Sequence, residues 1–305
     1  MAIRDIVLHL GTDARAAARF DIAIALAQAH EAAITGVLAT TEPGAPGQWW
    51  PASRQDRMAE WLAGMERVHA DLEQAFTARL GEEGLSGGWR IMQGSPGDVL
   101  TACARRADLT IIGQTDPREP VYGAGMPHQL VLGAGAPVLV VPYAGSFKTV
   151  GKRILVAWDG GREATRAVRD AMPLLERADT VMIHVINPAD DATSAGADIT
   201  AWLASHGVKA TASHAVLGPE TAAVSSTLQT VGGFGFQQRG AWSYTRRPPM
   251  GTSDVGNALL SAVTDDAADL LVMGAYGHGR LREFALGGAT REVLGSMTVP
   301  VLMSH

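Results

Sequence analysis

The heptapeptide ADLTIIG at residues 107–113 recurs as ADLLVMG at residues 268–274. Each copy is followed by a glycine-rich stretch and then by a second apolar run, APVLVVP at 136–142 and VPVLMSH at 299–305. The spacing between the two runs is nearly the same in both copies. Self-similarity at a fixed spacing is the mark of a duplicated unit, so the sequence predicts two copies of one fold.

Each copy alternates short apolar runs with helical patterns. The first copy predicts strands near 4–10, 33–40, 88–93, 108–114 and 137–142, and helices near 13–30, 54–80, 97–106 and 126–134. Apolar runs rich in β-branched residues that alternate with helices indicate a parallel sheet covered on both faces. We therefore predict an α/β protein of two tandem doubly wound domains, residues 1–145 and 151–305.

The length of 305 residues agrees with two domains of roughly 150 residues each. A segment at about 218–252, rich in glycine, aromatic residues and arginine, has no counterpart in the first copy. Arginines interleaved with aromatic rings can stack on single-stranded nucleic acid, but a mobile loop, or an element that folds against the other half or another subunit, is the favoured interpretation. The net charge of −6 argues against nucleic acid as the partner.

Cysteine content and hydropathy bear on the compartment. The single cysteine, Cys103, allows no intrachain disulfide, which fits a reducing environment. The first twenty residues lack the pattern of a signal peptide, and no apolar run approaches the length of a membrane-spanning helix. We expect a cytoplasmic protein without a membrane partner.

The strongest candidate site is GAYGHGRLREFALGGATREVL at residues 274–294, directly after a predicted strand. Its glycines let the backbone approach a ligand, and the N–H groups of a helix that starts near Ala289 attract anions. Thr290 adds a hydroxyl, and His278 and Arg280 add positive charge. These features fit a phosphate cradle, although the spacing alone fits a structural glycine turn equally well.

This stretch resembles the universal stress protein signature G-x2-G-x9-G-[ST], in which backbone amides hold the phosphates of ATP. Gly274, Gly277 and Gly287 match the signature in register. Gly288 stands where the signature has serine or threonine, which removes one expected hydroxyl contact. The resemblance covers nearly the whole chain as a tandem pair, leaving out the segment at about 218–252.

The resemblance implies one adenine-nucleotide site, in the second copy. The family's acid after the first strand corresponds to Asp159, and a contact at the end of the second strand corresponds to Val185. The residues expected to bind the nucleotide are Ala157, Asp159, Val185, Met273, Gly274, Gly277, His278, Arg280, Gly287, Gly288, Ala289 and Thr290. In the first copy Gly11 replaces the acid and Asp116 replaces the second glycine, so that copy is predicted to be degenerate.

By resemblance, the chain binds ATP, ADP or AMP, with Mg2+ held through the phosphates, and acts as a stress-response sensor or adaptor. No catalytic residue is predicted, because the sequence supplies no clear base, nucleophile or Walker-type lysine. His184, on a predicted buried strand, is interpreted as a hydrogen-bonded core residue. The alternatives are a weak ATP hydrolase or related nucleotide-using α/β enzyme, and an interaction module without nucleotide.

The oligomeric state and the partner stay open at the level of sequence. The apolar runs 137–142 and 299–303 can pair edge to edge, which would join the two copies as an intramolecular pseudo-dimer. A further homodimer of whole chains fits the sequence as well, and the protein partner of an adaptor is unknown.

Overall fold

A computed structural model describes residues 2–40, 52–118, 125–186, 196–217, 252–277 and 288–305. The strands are β1 (Asp5–His9), β2 (Ala33–Thr40), β3 (Gly87–Gln93), β4 (Leu109–Gly113), β5 (Val138–Val141), β6 (Arg153–Ala157), β7 (Thr180–Ile186), β8 (Ala210–Ala215), β9 (Leu270–Gly274) and β10 (Val301–Ser304). The helices are α1 (Ala16–His30), α2 (Ala52–Glu82), α3 (Pro96–Ala104), α4 (Met126–Gly133), α5 (Arg162–Leu175), α6 (Ala197–Ser205), α7 (Thr252–Asp265) and α8 (Gly288–Ser296). Within these ranges no helix is both long and apolar enough to cross a membrane.

The ten strands form one sheet in the order β3-β2-β1-β4-β5-β10-β9-β6-β7-β8. Strands β5 and β10 pair antiparallel, and the other neighbouring strands pair parallel. The strand order of the second half is the reverse of that of the first, because each half repeats one topology outward from the β5–β10 pair. The predicted fold class, two tandem doubly wound halves packed as a pseudo-dimer, is confirmed, as is the edge-to-edge pairing of the two terminal strands. The segment predicted as an insert lies outside the described residues, except for Thr252 at the start of α7.

The aspartate of each repeated heptapeptide fixes the pairing of the central strands. Asp108 Oδ2 accepts hydrogen bonds from the backbone N–H groups of Arg4 and Asp5, at 2.8 and 3.0 Å. In the second half, Asp269 Oδ1 accepts from the N–H of Arg153 at 2.9 Å. The two carboxylates thus anchor β1 beside β4 and β6 beside β9. The same short sequence sets the same strand neighbours in both halves.

Helices cover both faces of the sheet and divide the core into two clusters. Helices α1, α2, α5 and α6 pack on one face, and α3, α4, α7 and α8 pack on the other. The division follows from the strand period of two, which sends neighbouring side chains to opposite faces. On β7, for example, Ile183 belongs to the first cluster and Met182 to the second.

Gln114, directly after β4, joins the two halves beside the β5–β10 seam. Its side chain is buried, and its amide nitrogen donates to the carbonyls of Leu294 and Gly295 at 2.8 and 3.1 Å. Its amide oxygen accepts from the N–H of Tyr143 at 3.1 Å. The two carbonyls lie in the last turn of α8, where carbonyl groups have no partner inside the helix. One side chain of the first half therefore caps a helix of the second.

Gln114→Ala is expected to lower the free energy of unfolding by about 1–3 kcal/mol, because it leaves buried carbonyls without their donor. Urea denaturation of the full chain measures the change. Gln28→Ala is the matched control, since it removes an exposed amide that bonds Glu83, and it should cost less than about 0.5 kcal/mol. Equal costs for the two variants would contradict the bridging role of Gln114.

Candidate functional site

A cavity of about 180 Å3 lies at the carboxyl edge of the second half, beyond β6, β7 and β9. Its lining comprises Ala157, Trp158, Asp159, Glu163, Ala164, His184, Ile186, Val255, Leu259, Met273, Gly274, Tyr276, Gly277, Gly288, Ala289 and Thr290. The helices that follow β6 and β9 leave for opposite faces of the sheet, so the cavity opens where the strand order reverses. Open α/β sheets bind their ligands at this position.

The structure brings most of the predicted site residues together around this cavity. They are Ala157, Asp159, Met273, Gly274, Gly277, Gly288, Ala289 and Thr290. Three others, His278, Arg280 and Gly287, lie outside the described residues. The side chain of Val185 is 7% exposed and packs in the core on the other face, so a contact from Val185 would come from its backbone and stays a prediction. Because strand side chains alternate, its neighbours His184 and Ile186 reach the cavity instead.

One wall of the cavity is apolar. Ile186 from β7, Met273 from β9, and Val255 and Leu259 from α7 form it. These side chains lie on one face of the sheet, the face on which α8 also packs. A wall of this kind holds a flat, uncharged ring system, because burying its surface removes apolar area from water.

Two carboxylates stand on the loop and first turn after β6. Asp159 is exposed at the mouth, and its Oδ1 accepts the N–H of Gly161 at 2.8 Å. Burial of Glu163 would raise its pKa, but hydrogen bonds from its own backbone and from Arg162 outweigh burial and lower the pKa. Glu163 is therefore ionised at neutral pH. Among the described residues, no group of three or more histidine, cysteine, aspartate or glutamate side chains could hold a metal ion.

The turn after β9 is held in a strained shape by α8. Tyr276 has a φ of +61°, in the left-handed region that few residues other than glycine adopt. Its backbone N–H donates to Oγ1 of the buried Thr290 at 3.3 Å, which ties the turn to the first turn of α8. Strained backbone of this kind clusters at ligand sites, where the surrounding structure holds it.

The side chain of Tyr276 carries an unused polar group. Its hydroxyl is buried and has no hydrogen-bond partner among the described residues. Burial raises the pKa of this hydroxyl to about 12, so it stays protonated and can donate. The Tyr276 ring lies beside His128 and His305, with ring centres 6.4 and 6.2 Å apart, and neither histidine belongs to the cavity lining.

The start of α8 supplies further donors. Gly288, Ala289 and Thr290 are its first three residues, and all three line the cavity. The first N–H groups of a helix have no carbonyl partner within it, and the helix dipole adds positive potential at that end. The cavity thus combines an apolar wall, an exposed carboxylate and the amino end of a helix.

The two glycines of the turn have different physical roles. A Cβ on Gly274 would lie 2.5 Å from the backbone nitrogen of Ala164, so glycine is required for the close approach of α5. A Cβ on Gly277 would first meet Oε2 of Glu163 at 3.1 Å, the movable end of a flexible side chain. Gly274 is therefore needed for packing, whereas Gly277 leaves room for whatever enters the cavity.

Gly274→Ala is expected to lower the free energy of unfolding by about 1–3 kcal/mol, because the added methyl group overpacks against backbone atoms that cannot move aside. Gly277→Ala serves as the matched variant and should cost less than about 1 kcal/mol, since the Glu163 carboxylate can shift. Urea denaturation of both variants beside the parent chain makes the comparison. If Gly277→Ala lowers the free energy of unfolding as much as Gly274→Ala does, both glycines are required for packing and the distinction is wrong.

Eight cavity residues escaped the sequence prediction: Trp158, Glu163, Ala164, His184, Ile186, Val255, Leu259 and Tyr276. His184 is half-buried rather than in the core, and its Nδ1 lies 2.9 Å from Oγ of Ser213. Its interpretation as hydrogen-bonded is right, and its placement in the core is wrong. The signal was present in the sequence, because alternation along β7 places His184 and Ile186 on the side opposite to Val185.

The first half has a cavity of about 490 Å3 at the corresponding edge, although its sequence departs from the signature. The cavity is lined by His9, Asp13, Ala14, Arg15, Arg19, Gly113, Gln114, Thr115, Asp116, Arg118, Met126, Val141 and Tyr143. Asp116, which replaces the second signature glycine, is among them. Three arginines line this cavity, whereas none lies among the described lining of the other.

Comparison with known proteins gives both a family and a fold. The model of the universal stress protein family matches residues 151–305. Universal stress protein Slr1230 from Synechocystis is 44% identical over 45 residues, which cover 15% of this chain and 16% of that protein.

Two solved structures resemble this chain over nearly its whole length. A universal stress protein from Archaeoglobus fulgidus has a TM-score of 0.67 at 13% identity, covering 98% of this chain and 97% of its own. The functionally unknown protein PA1789 from Pseudomonas aeruginosa has a TM-score of 0.59 at 15% identity, covering 99% of this chain and 92% of its own. At these identities the likeness shows the shared fold.

Proposed function

We propose that this chain, which belongs to the universal stress protein family, binds one adenine nucleotide in the cavity of its second half and acts as a sensor or adaptor. The observation that carries the proposal is a convergence of donors at one cavity. The turn at 274–277, which includes Tyr276, and the amino end of α8 both border it.

The apolar wall suits the base. Met273 and Leu259 belong to two elements that pack on the same face of the sheet, and Ile186 completes the surface at the end of β7. A purine ring placed there removes apolar area from water, while its edge nitrogens remain free to bond backbone or side-chain groups. His184, half-buried beside this wall, offers the edge of an imidazole whose pKa is lowered by burial.

The mouth suits the ribose. Asp159 is exposed there, in a turn closed by its bond to the N–H of Gly161. A carboxylate accepts hydrogen bonds from hydroxyl donors, and the two ribose hydroxyls are such donors. This assignment agrees with the acid that the family resemblance places after the first strand.

The helix end suits the phosphates. Gly288, Ala289 and Thr290 begin α8 and line the cavity, and the N–H groups at the start of a helix bind anions. His278 and Arg280 follow that turn in sequence and supply positive charge to the same region. The ionised Glu163 opposes bare phosphate, so we expect the nucleotide to enter with Mg2+ held through its phosphates and water.

The position of α8 supports the role as a sensor. Its first turn lines the cavity, and its last turn accepts the two hydrogen bonds of Gln114 from the first half. A ligand that orders the start of this nine-residue helix therefore acts on an element that also holds the seam between the halves. An adaptor needs such a connection between a ligand and a surface that partners can contact.

Calorimetric titration of the full chain with MgATP is expected to show one site per chain. Gly277→Val should weaken binding at least about tenfold, because a branched side chain occupies the space through which the phosphates approach the backbone. Asp159→Ala should also weaken binding, through loss of the ribose contact. Gly295→Ala is the control at the far end of α8, where an added Cβ meets nothing within 4 Å, and it should bind as the parent does.

Two outcomes would overturn this proposal. The absence of binding at millimolar MgATP would favour an interaction module that uses no nucleotide. Release of phosphate at several turnovers per second would make the chain an enzyme rather than a sensor, because a signalling site must hold its ligand long enough to be read. A phosphate-release assay on the same preparation distinguishes the second outcome.

A further inference from the structure

We propose that the cavity of the first half is a second binding site, for a small organic carboxylate that carries one negative charge and an apolar body. The site is separate from the nucleotide site and does not depend on it. Its volume of about 490 Å3 lies within the range of ligand pockets in proteins.

The charge at equivalent positions is inverted between the two cavities. Arg15 and Glu163 both lie four residues after the second position beyond the central strand, which is Gly11 in one half and Asp159 in the other. Each lines its own cavity. The duplicated fold thus has the cation Arg15 where the second half has the carboxylate Glu163, and the uncharged Gly11 where the second half has Asp159, so the two cavities differ in charge.

The buried ion pair in the first cavity joins Arg19 and Asp13, and each partner satisfies the charge of the other. Arg19 is 2% exposed, and its two terminal nitrogens donate to the two oxygens of Asp13 at 2.7 and 2.6 Å. Its third donor, Nε, bonds the carbonyl of His9 at 3.2 Å. Burial would raise the pKa of Asp13, but these bonds and the charge of Arg19 outweigh it and hold the pKa below its usual value. The pair therefore forms a fixed, neutral wall.

The second carboxylate is also satisfied. Both oxygens of Asp116 accept from the guanidinium of Arg118, at 3.0 and 2.8 Å, and Oδ1 also accepts the N–H of the same residue. These contacts lower the pKa of Asp116 and cancel its charge locally. Because an arginine already pairs with each aspartate, the lining keeps one positive charge for a ligand, which favours a ligand with one negative charge over a nucleoside triphosphate.

Arg15 is the cation whose charge no side chain offsets among the described contacts. Its Nη2 donates to the carbonyl of Gly145 at 2.7 Å, and its guanidinium lies 6.0 Å from the ring centre of Phe147. Its Nε is buried without a hydrogen-bond partner among the described residues. The guanidinium is thus held in place by neutral groups, and it keeps donors for a carboxylate, the group that its planar fork fits best.

The remaining lining residues determine the charge and the shape of the ligand that the cavity can bind. The pKa of His9 is lowered to about 4, by burial and then by Arg19, so this histidine is neutral at physiological pH. Three arginines and two aspartates then leave one positive charge in the lining. Met126, Val141 and the ring of Tyr143 form the uncharged surface. A single carboxylate attached to an aromatic or aliphatic body matches both features.

The test is a titration of the full chain with 2-naphthoate in the presence of saturating MgATP. One naphthoate per chain is expected, and Arg15→Gln should weaken its binding at least about tenfold, through loss of a charge-assisted pair. Arg4→Gln is the matched control, because Arg4 is an exposed arginine of the same half at the amino end of β1, away from the cavity. The uncharged analogue 2-naphthalenemethanol should bind at least about tenfold more weakly than the acid.

Two further variants keep the test decisive if Arg15→Gln folds poorly. Arg15→Lys retains the charge without the fork and should bind naphthoate with intermediate affinity. Thr115→Trp fills the cavity from its half-exposed wall and should abolish naphthoate binding while MgATP binding is unchanged. Thermal unfolding of each variant confirms that it is folded before titration.

Three results would overturn the proposal. They are no binding at millimolar naphthoate, equal affinity for the parent and Arg15→Gln, and displacement of naphthoate by MgATP. Displacement by MgATP would show that naphthoate binds in the nucleotide cavity of the second half. A failure here leaves the nucleotide titration unaffected, because that titration is carried out without naphthoate and reports on the other half.

Discussion

The antiparallel pairing of β5 with β10 is the constraint on which the rest of the structure depends. Val140 faces Val301, Leu139 faces Leu302 and Val138 faces Met303 across this seam. Each strand would otherwise expose an apolar edge with unpaired backbone groups, a state that favours aggregation. Pairing the two edges turns two five-stranded sheets into one of ten strands and buries both terminal strands completely.

The direction of the seam decides where the two cavities lie. Because β5 and β10 run in opposite directions, the carboxyl ends of the parallel strands point to opposite edges of the sheet in the two halves. Helix α8 spans this distance, with its first turn at the cavity of the second half and its last turn at Gln114 beside the cavity of the first. The chain thus contains one fold twice, and one short helix lines one cavity and contacts a lining residue of the other.

The two cavities show how far one topology can diverge in chemistry. The backbone positions are equivalent, but the first half has Arg15 where the second has Glu163, and Gly11 where the second has Asp159. The first half also replaces a signature glycine by Asp116, and it compensates that carboxylate with Arg118. The departures of the first half from the nucleotide signature therefore change the charge and the lining residues of this cavity, but they do not fill it.

The fold could be predicted almost completely from the sequence, and the site only in part. Strands such as β5 are recognisable from short runs of β-branched apolar residues, and helices such as α1 from an alanine-rich helical pattern. The repeat then gives the same order of elements in both halves. Most predicted residues of the second cavity do line it, because they follow the carboxyl ends of strands. The separate roles of Gly274 and Gly277 could not be predicted, since they depend on how closely α5 approaches the turn. The pair Arg19–Asp13 depends likewise on the packing of a loop against a helix, which local patterns do not report.

A crystal structure of the full chain grown with MgATP tests the central claim most directly. The account predicts one adenine nucleotide per chain, in the cavity of the second half, with its phosphates between the turn at 274–277 and the start of α8. It also predicts that no adenine nucleotide occupies the arginine-lined cavity of the first half. A nucleotide bound in the first half, or a second-half cavity that stays empty at saturating MgATP, would contradict it.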